Sequence, residues 1–450
     1  MAVANVGLGA VLLRLIRATG LICVRVPRLW WLYRARRTTD FDGWLADTVV
    51  ALGPAFVKAA QLLSTRADVL PPRICRALAR LYDNVRPDPV DATAVLAATG
   101  IPVSGARLVG SGSIACVYRV RSAGRELAVK VRRPGIDRSL NGDLAMLEKV
   151  AWLLAKIPPL RGVPVVEIAG QLTDCIRGQL DLAREADFLR EIRESMRSVP
   201  GITVPAVEMS TKDVLVMEFV PDLRRRRPDE FAEADRERAV VRALRAAYRM
   251  LFLDGVVHCD LHPGNLYFRA DGTIVIVDAG FTVRLTDSAR EKFAAFFYCM
   301  SQGDGPACAD IVLSTAVTLT RSARGRGPLY AVSSSLRSLR FAPKDEDTAA
   351  AAHSTDVAAF RTGMTTLIED AAGRPAAEFD LVSFAAALFD LQRRYGFYAD
   401  PQFVFPILSL LVLEGAVREF HPKVDFQREA KPFLTTALFE CVLTAGMAAK

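Results

Sequence analysis

Residues 258–280 read HCDLHPGNLYFRADGTIVIVDAG and set two of the chain's four histidines beside Asp260, Asn265 and Asp278. An Asp, an Asn five residues on, and a second Asp at the end of a turn supply hard oxygen donors. Such donors suit a small divalent cation such as Mg²⁺, which keeps several waters and shares phosphate oxygens with one or two carboxylates. The spacing H-x-D-x-x-x-x-N followed by D-x-G is that of a phosphoryl-transfer loop. Asp260 is then placed to take or orient the proton of an attacking hydroxyl or water, and Asn265 and Asp278 to hold the metal. The histidines read as scaffolding, with His258 packing and hydrogen-bonding beneath the loop.

Phosphoryl transfer needs positioning and charge neutralisation more than covalent chemistry, so further parts are required. Residues 110–115, GSGSIA, lie between two strand-like segments. Gly110, Ser111, Gly112 and Ser113 form a turn where absent side chains would let the backbone approach phosphates. Beyond it, ELAVK places Lys130 at the end of a Val-rich strand, where a lysine can reach the α- and β-phosphates. DVLVMEFVPD reads as a buried strand closing at a proline, and Glu218 on it is assigned to nucleotide binding. A Glu must hold the lysine, and spacing alone singles out Glu148, eighteen residues after it.

The elements that carry these residues follow from the hydrophobic period. Residues 41–98 show helical spacing up to the break DNVRPDPVD, and the Val-rich alternation after it predicts two or three antiparallel strands. A helical pattern returns over 139–197, interrupted by KIPPLRGVP, and again over 235–254. GNLYFRADGTIVIVDAG has two apolar runs joined by ADG, a hairpin signal. From about 286 onward the chain reads as helical, with Thr286 or Asp287 as the first cap. The fold expected is α+β with two lobes. It divides into a basic amphipathic leader (1–40), a helical extension (41–100), an N-lobe with the nucleotide loop and a helical insert (101–222), and a helical C-lobe with the catalytic loop and metal-binding Asp (223–450).

Composition narrows the function classes. Fifty-eight basic against 50 acidic residues give a net charge of +8, and residues 1–40 hold seven Arg and one Asp. The leader's mixture of apolar residues, arginines and a Trp pair fits a helix in an anionic membrane interface, or a packed helix with snorkelling arginines. No uncharged apolar run reaches the roughly 18–20 residues that span a bilayer, and the first residues lack the cationic start of a secretory signal. A cytoplasmic protein, peripheral to the membrane, is the expectation. The eight cysteines make no C-x-x-C pair, which argues against a zinc site and fits a reducing compartment. RRRR at 224–227 reads as an exposed loop, and no aromatic–basic platform recurs, so nucleic acid is not expected as a partner.

LGPAFVKAAQLLSTRADVLPP, AVKVRRPGI, HCDLHPGN and LLVLEGAVREFHPKVDF together resemble the UbiB-like, AarF-domain atypical kinases over roughly 45–430. The resemblance implies an atypical protein kinase-like two-lobed fold whose N-terminal extension covers the nucleotide site. It places Lys58 and Gln61 in the covering K-x-G-Q segment, Gln179 and Asp181 in the family's E-x-D, and Glu185 as the lysine's partner, in preference to Glu148. It also implies ATP and Mg²⁺ as cofactors. Quinone or other isoprenoid lipid biosynthesis at a membrane surface is implied too, with anionic lipid, a quinone-like small molecule and biosynthetic enzymes as partners. The chain departs from the pattern at Ala60 (Gly in the family), at Gln179 (acidic), at Ala279 (Phe in ordinary kinases) and in GSGS, where an Ala-rich loop is usual. Less suppressed phosphotransfer is the expected consequence. A small-molecule phosphotransferase of the aminoglycoside or choline kinase kind shares the central loop, and a pseudokinase scaffold is the non-enzymatic alternative.

Overall fold

The computed structural model describes residues 38–52, 56–57, 59–60, 72–79, 106–112, 114–154, 165–224, 226–261, 265–318, 346–372, 379–395, 397–399, 401–422 and 424–448. Lys58, Gln61 and Ser113, and the leader up to residue 37, lie outside them. The described chain forms two compact units, one comprising residues up to Ala246 together with His258–Val283, the other Ala247–Val257 and the residues from Arg284 onward.

In the first unit, helices α1 (Thr38–Leu52) and α2 (Pro72–Ala79) pack on one another. Ala60, which stands where the family has Gly, joins Ala46, Val49, Val57 and Leu78 in their shared apolar cluster. Strands β1 (Arg107–Ser111), β2 (Ala115–Ser122) and β3 (Arg125–Arg132) form the predicted antiparallel meander. Helices α3 (Ile136–Leu154), α4 (Val165–Gly178) and α5 (Leu182–Met196) follow. The chain continues through β4 (Ile202–Thr203), β5 (Val207–Ser210) and β6 (Val214–Glu218), and β6 pairs with β3 to complete a five-stranded sheet, β1-β2-β3-β6-β5. Alternation along these strands buries Cys116, Tyr118, Val120, Leu127, Val129, Val131, Val214 and Val216 together on one face. Lys130, at an even position of β3, belongs to the other.

Helix α6 (Glu233–Tyr248) runs to the end of this unit's first stretch, and the chain re-enters it at the end of β7 (Val256–His258). The predicted hairpin is β8 (Leu266–Phe268) and β9 (Ile274–Ile276), paired Leu266 with Ile276, with β4 parallel on the far side of β9. Its turn needs Gly272 at φ 75°, where a Cβ would also press on the Asp235 carbonyl at 2.9 Å. Strand β10 (Thr282–Arg284) leads out.

The second unit differs from the sequence expectation in two places. Residues 249–254 form a π-helix ended by Gly255 in the left-handed region, rather than more of the α-helix. Between α7 (Asp287–Ser301), capped by Thr286, α8 (Gly305–Thr315), α9 (Glu346–Ala372), α10 (Leu381–Tyr395), α11 (Pro401–Phe420) and α12 (Phe426–Ala448) lie two short paired strands. These are β11 (Ala316–Thr318) and β12 (Phe397–Ala399). Its core stacks Phe252 on Tyr248 and Phe293 at centroid distances of 5.8 and 6.1 Å. The EGAVRE segment makes a clasp: buried Glu414 holds Arg418 at 2.7 Å, and Arg418 donates to the Phe379 carbonyl at 2.7 Å. No helix among the described residues is long and apolar enough to cross a membrane.

Candidate active site

Lys130 projects from β3, and its Nζ lies 2.7 Å from Glu185 on α5 and 2.6 Å from Asp278 after β9. Three residues separated by 55 and 148 positions thus meet at one ammonium. Glu185 occupies the first turn of α5, whose N-terminus is capped by Asp181, accepting from Ala183 N–H at 3.0 Å and Arg184 N–H at 3.3 Å. Glu148 is committed elsewhere: it accepts from Thr173 and Arg177 of α4 at 3.0 and 2.9 Å.

The three charges are unequally sheltered, with Glu185 3% exposed, Lys130 14% and Asp278 32%. Burial works against the lysine's charge, but Asp278 and Glu185 outweigh it and hold the ammonium above its ordinary range. Burial also disfavours the Asp278 carboxylate, yet Lys130 beside it holds that group well below the usual carboxylate range. Burial, then the Asp278 charge, push Glu185 up to about 7 despite its bonds to Lys130. One cation serves two carboxylates, and the more deeply buried of the two is the one that gives way.

The loop around Asp260 is fastened from below. The His258 Nδ1 accepts from the Asp260 N–H at 3.2 Å, so its Nε2 carries the hydrogen and donates to the Asp278 carbonyl. One neutral imidazole therefore fixes the two loops relative to each other. Asn265 Nδ2 donates to the Asp260 carbonyl at 3.0 Å and to its Oδ2 at 3.3 Å, which turns the amide oxygen away from Asp260. The Val277 N–H donates to the Asn265 carbonyl at 3.2 Å, so the two metal-ligand candidates sit on adjoining backbone. Asp278 Oδ1 accepts from Gly280 N–H at 2.8 Å. A Cβ at Gly280 would lie 3.1 Å from that oxygen and 3.3 Å from Glu185 Oε2, so glycine lets the two carboxylates close in. The neighbouring Cys259 thiol is pushed well above its ordinary range by burial, as expected for a packed, unreactive cysteine. Tyr267 is raised by burial and by the Asp278 charge.

At the glycine turn, Arg133 donates from Nε to the Gly112 carbonyl at 2.9 Å and from Nη2 to Ser111 Oγ at 2.8 Å. Glu218 ends β6, where its Oε2 accepts from the Ala206 N–H at 3.2 Å and lies 3.7 Å from Arg193 of α5. Gln179 is buried directly before Leu180 and Asp181, and its Nε2 has no partner among the described residues. The arginine run is less open than its sequence suggests, for Arg226 is only 11% exposed and pairs with Asp222 and Glu230. The fastening role of Arg133 was missed in the sequence, although a pair of arginines two residues past a strand lysine was there to be noticed.

Asn265 and Asp278 fit a Mg²⁺ that arrives with phosphate. The described residues hold no cluster of three His, Cys, Asp or Glu side chains able to bind a metal. Two protein oxygens completed by phosphate and water are a usual magnesium arrangement.

Residues 106–312 match the ABC1 atypical kinase-like domain. The chain is 29% identical over 300 residues to the uncharacterized protein slr0889 of Synechocystis, across 62% of this chain and 74% of that one. It is 26% identical over 442 residues to a probable protein kinase UbiB of Pasteurella multocida, across 92% of this chain and 77% of the relative. A probable protein kinase UbiB of Pectobacterium carotovorum is 27% identical over 430 residues, across 91% and 72%. Among solved structures, the erythromycin complex of Rv3197 from Mycobacterium tuberculosis aligns with a TM-score of 0.40 and 22% identity, across 60% of this chain and 70% of that one. The chain has an α+β, kinase-like fold, carries an ABC1 atypical kinase-like domain over residues 106–312, and is similar across 92% and 91% of its length to two probable UbiB protein kinases.

Proposed function

We propose that the protein is a Mg²⁺-dependent, ATP-binding atypical kinase or ATPase of the UbiB-like type. The observation that carries this reading is the convergence of Lys130, Glu185 and Asp278, with Asp260 tied to Asp278 through His258 and Asn265 bonded to Asp260. Lys130 holds the α- and β-phosphates and Glu185 fixes the lysine. Asn265 and Asp278 would hold the metal, which would supply charge neutralisation at the phosphates. Asp260 orients the attacking oxygen and takes its proton. Gly110, Ser111, Gly112 and Ser113 let the backbone approach the phosphates, whereas the Glu218 side chain shares the face of Leu127 and Val216, opposite Lys130, so that residue would meet a nucleotide through its backbone alone. Lys58, Gln61, Gln179 and Asp181 belong to the cover that limits access, which favours a small or membrane-borne acceptor over a peptide. The resemblance of the sequence motifs to UbiB-like kinases, and that alone, extends this chemistry to a role in quinone or other isoprenoid lipid biosynthesis at a membrane surface, with anionic lipid, a quinone-like small molecule and biosynthetic enzymes as partners.

The test is thermal stabilisation by ATP with and without Mg²⁺, followed by ADP production with and without anionic liposomes and a quinone-precursor-like phenol. Saturation at 100 times Kd should stabilise by about 2.7 kcal/mol. Asp278→Asn should abolish the magnesium dependence of that shift. No shift at millimolar ATP would leave a scaffold. Stoichiometric phosphorylation of a hydroxylated small molecule such as an aminoglycoside would instead make the protein a small-molecule phosphotransferase.

A further inference from the structure

Arg132 ends β3, two residues after Lys130, so the two side chains leave the strand on the same face. Its side chain is 9% exposed and gathers three segments. One is the first turn of α3, through Asp137; another is the turn between β5 and β6, through Asp213. The third is the entry to α5, where Arg132 Nη1 donates to the Leu180 carbonyl at 3.2 Å. Backbone bonds close the same knot: Arg132 N–H donates to the Asp213 carbonyl at 2.9 Å, and Leu182 N–H to the Lys212 carbonyl at 3.2 Å.

The path from Arg132 to Glu185 is short. Leu180 precedes Asp181, which caps α5 with its side chain and accepts the Glu185 N–H on its carbonyl at 3.2 Å. The helix is thus bound to β3 at two points, Lys130–Glu185 and Arg132–Leu180. The second does not involve the residues that would touch nucleotide. We propose that Arg132 is a positioning residue, holding the start of α5 so that Glu185 meets Lys130 before any nucleotide arrives. Resting on the ATP-binding reading above, this makes the lysine–glutamate pair a built-in feature of the unit rather than one assembled by the ligand.

Removing the guanidinium need not unfold the unit, because Asp137 and Asp213 are 36% and 55% exposed and can turn to water. The experiment is a double-mutant cycle on the full chain with Arg132→Met, Glu185→Gln and both, reading Mg·ATP affinity by calorimetry. Arg132→Met should weaken binding roughly tenfold, the scale of losing a supporting partner, and should add less than about twofold when Glu185 is already Gln. Arg132→Lys should recover only part of the loss, because an ammonium lacks the planar fork that reaches several acceptors at once. An equal loss in both backgrounds, or a change within twofold in the first, would overturn the inference. If the wild-type chain binds no ATP, the proposed function fails, and hydrogen exchange then decides the role of Arg132. Arg132→Met must speed exchange at Ala183, Arg184 and Glu185 while leaving the β6 amides unchanged. Unaltered exchange at those three amides would sink it.

Discussion

Replacing Lys130 with Met takes away the cation shared by Glu185 and Asp278 and leaves two carboxylates facing each other. Removing one partner of a buried pair costs about 3–5 kcal/mol when the remaining charge stays buried and ionised. Glu185, at 3% exposure, carries most of that cost, whereas Asp278 at 32% is partly screened by water. Glu185 can escape by taking a proton, and in the wild type it already does so at about 7. Because its folded value lies above its unfolded value near 4.3, the folded state holds the extra proton, and stability falls as pH climbs from roughly 4 to about 7. In the Lys130→Met protein, burial and the Asp278 charge act unopposed, so that fall continues above 7. The wild-type lysine, raised above its ordinary value, contributes constantly across this range, since its stabilisation is lost only at higher pH. The deficit between the two proteins should therefore be flat below about 7 and widen above it by up to ~1.4 kcal/mol per pH unit, for one proton. Urea denaturation followed by circular dichroism at pH 6, 7, 8 and 9 measures it, and the Lys130→Met/Glu185→Gln protein should show no widening. An equal deficit at pH 6 and pH 9, or a widening that survives the second substitution, would refute the charge argument.

Three further outcomes follow from the same geometry. Asp181→Ala removes the cap of α5 and should cost about 1 kcal/mol in thermal unfolding, with a larger proportional loss of ATP affinity because Glu185 lies one turn away; unchanged affinity would disconnect the cap from the site. Gly280→Ala places a methyl 3.1 Å from Asp278 Oδ1 and 3.3 Å from Glu185 Oε2, so Mg·ATP binding should fall several-fold while melting changes little; calorimetry that shows wild-type affinity would contradict this. Gln179→Met removes a buried amide whose Nε2 has no partner among the described residues, and chemical denaturation should find the protein as stable as wild type or more so; a loss above about 1 kcal/mol would show the amide to be bonded in solution.

What could be read from the sequence was what depends on neighbours in the chain. The Val-rich alternation with Gly124 at its turn gave β2 and β3, and ADG between two apolar runs gave β8 and β9, since strand period and turn chemistry act over a few residues. The π-helix at 249–254 was invisible because RMLFLD continues the apolar period of α6, and the widened turn changes the hydrogen bonding rather than the composition. Strands β11 and β12 are three residues each, too short for alternation to show. Spacing alone favours Glu148 and the family resemblance favours Glu185; both stand on helices after Lys130, and the physical difference is that Glu148 is spent joining α3 to α4. Arg226 follows the same rule, because Glu230 and Asp222 bring it inward while a run of arginines on paper suggests solvent.

Glycines at 110 and 112 raise the question of what requires them. The positive-φ glycines of the described chain are 124, 135, 201, 255, 272 and 303, so neither loop glycine is held in a conformation closed to other residues. A Cβ at Gly110 would meet Val117 at 3.7 Å, and one at Gly112 would meet the Ala115 carbonyl at 3.4 Å, both ordinary contacts. The ligand-free fold therefore accepts alanine at both places, and Gly→Ala at such a site tends to stabilise by about 0.4–1 kcal/mol through the unfolded chain. If the glycines are there for the approach of phosphate to backbone, Gly110→Ala/Gly112→Ala should keep or raise the melting temperature. It should at the same time change ATP hydrolysis and autophosphorylation, in the direction of the Ala-rich loop usual among the relatives. Arg133, which holds the Gly112 carbonyl and Ser111 Oγ, would remain in place, so a change in turnover reports on the missing methyl groups rather than on a displaced loop. Identical hydrolysis and autophosphorylation in the two proteins would mean that the loop's glycines serve neither fold nor nucleotide.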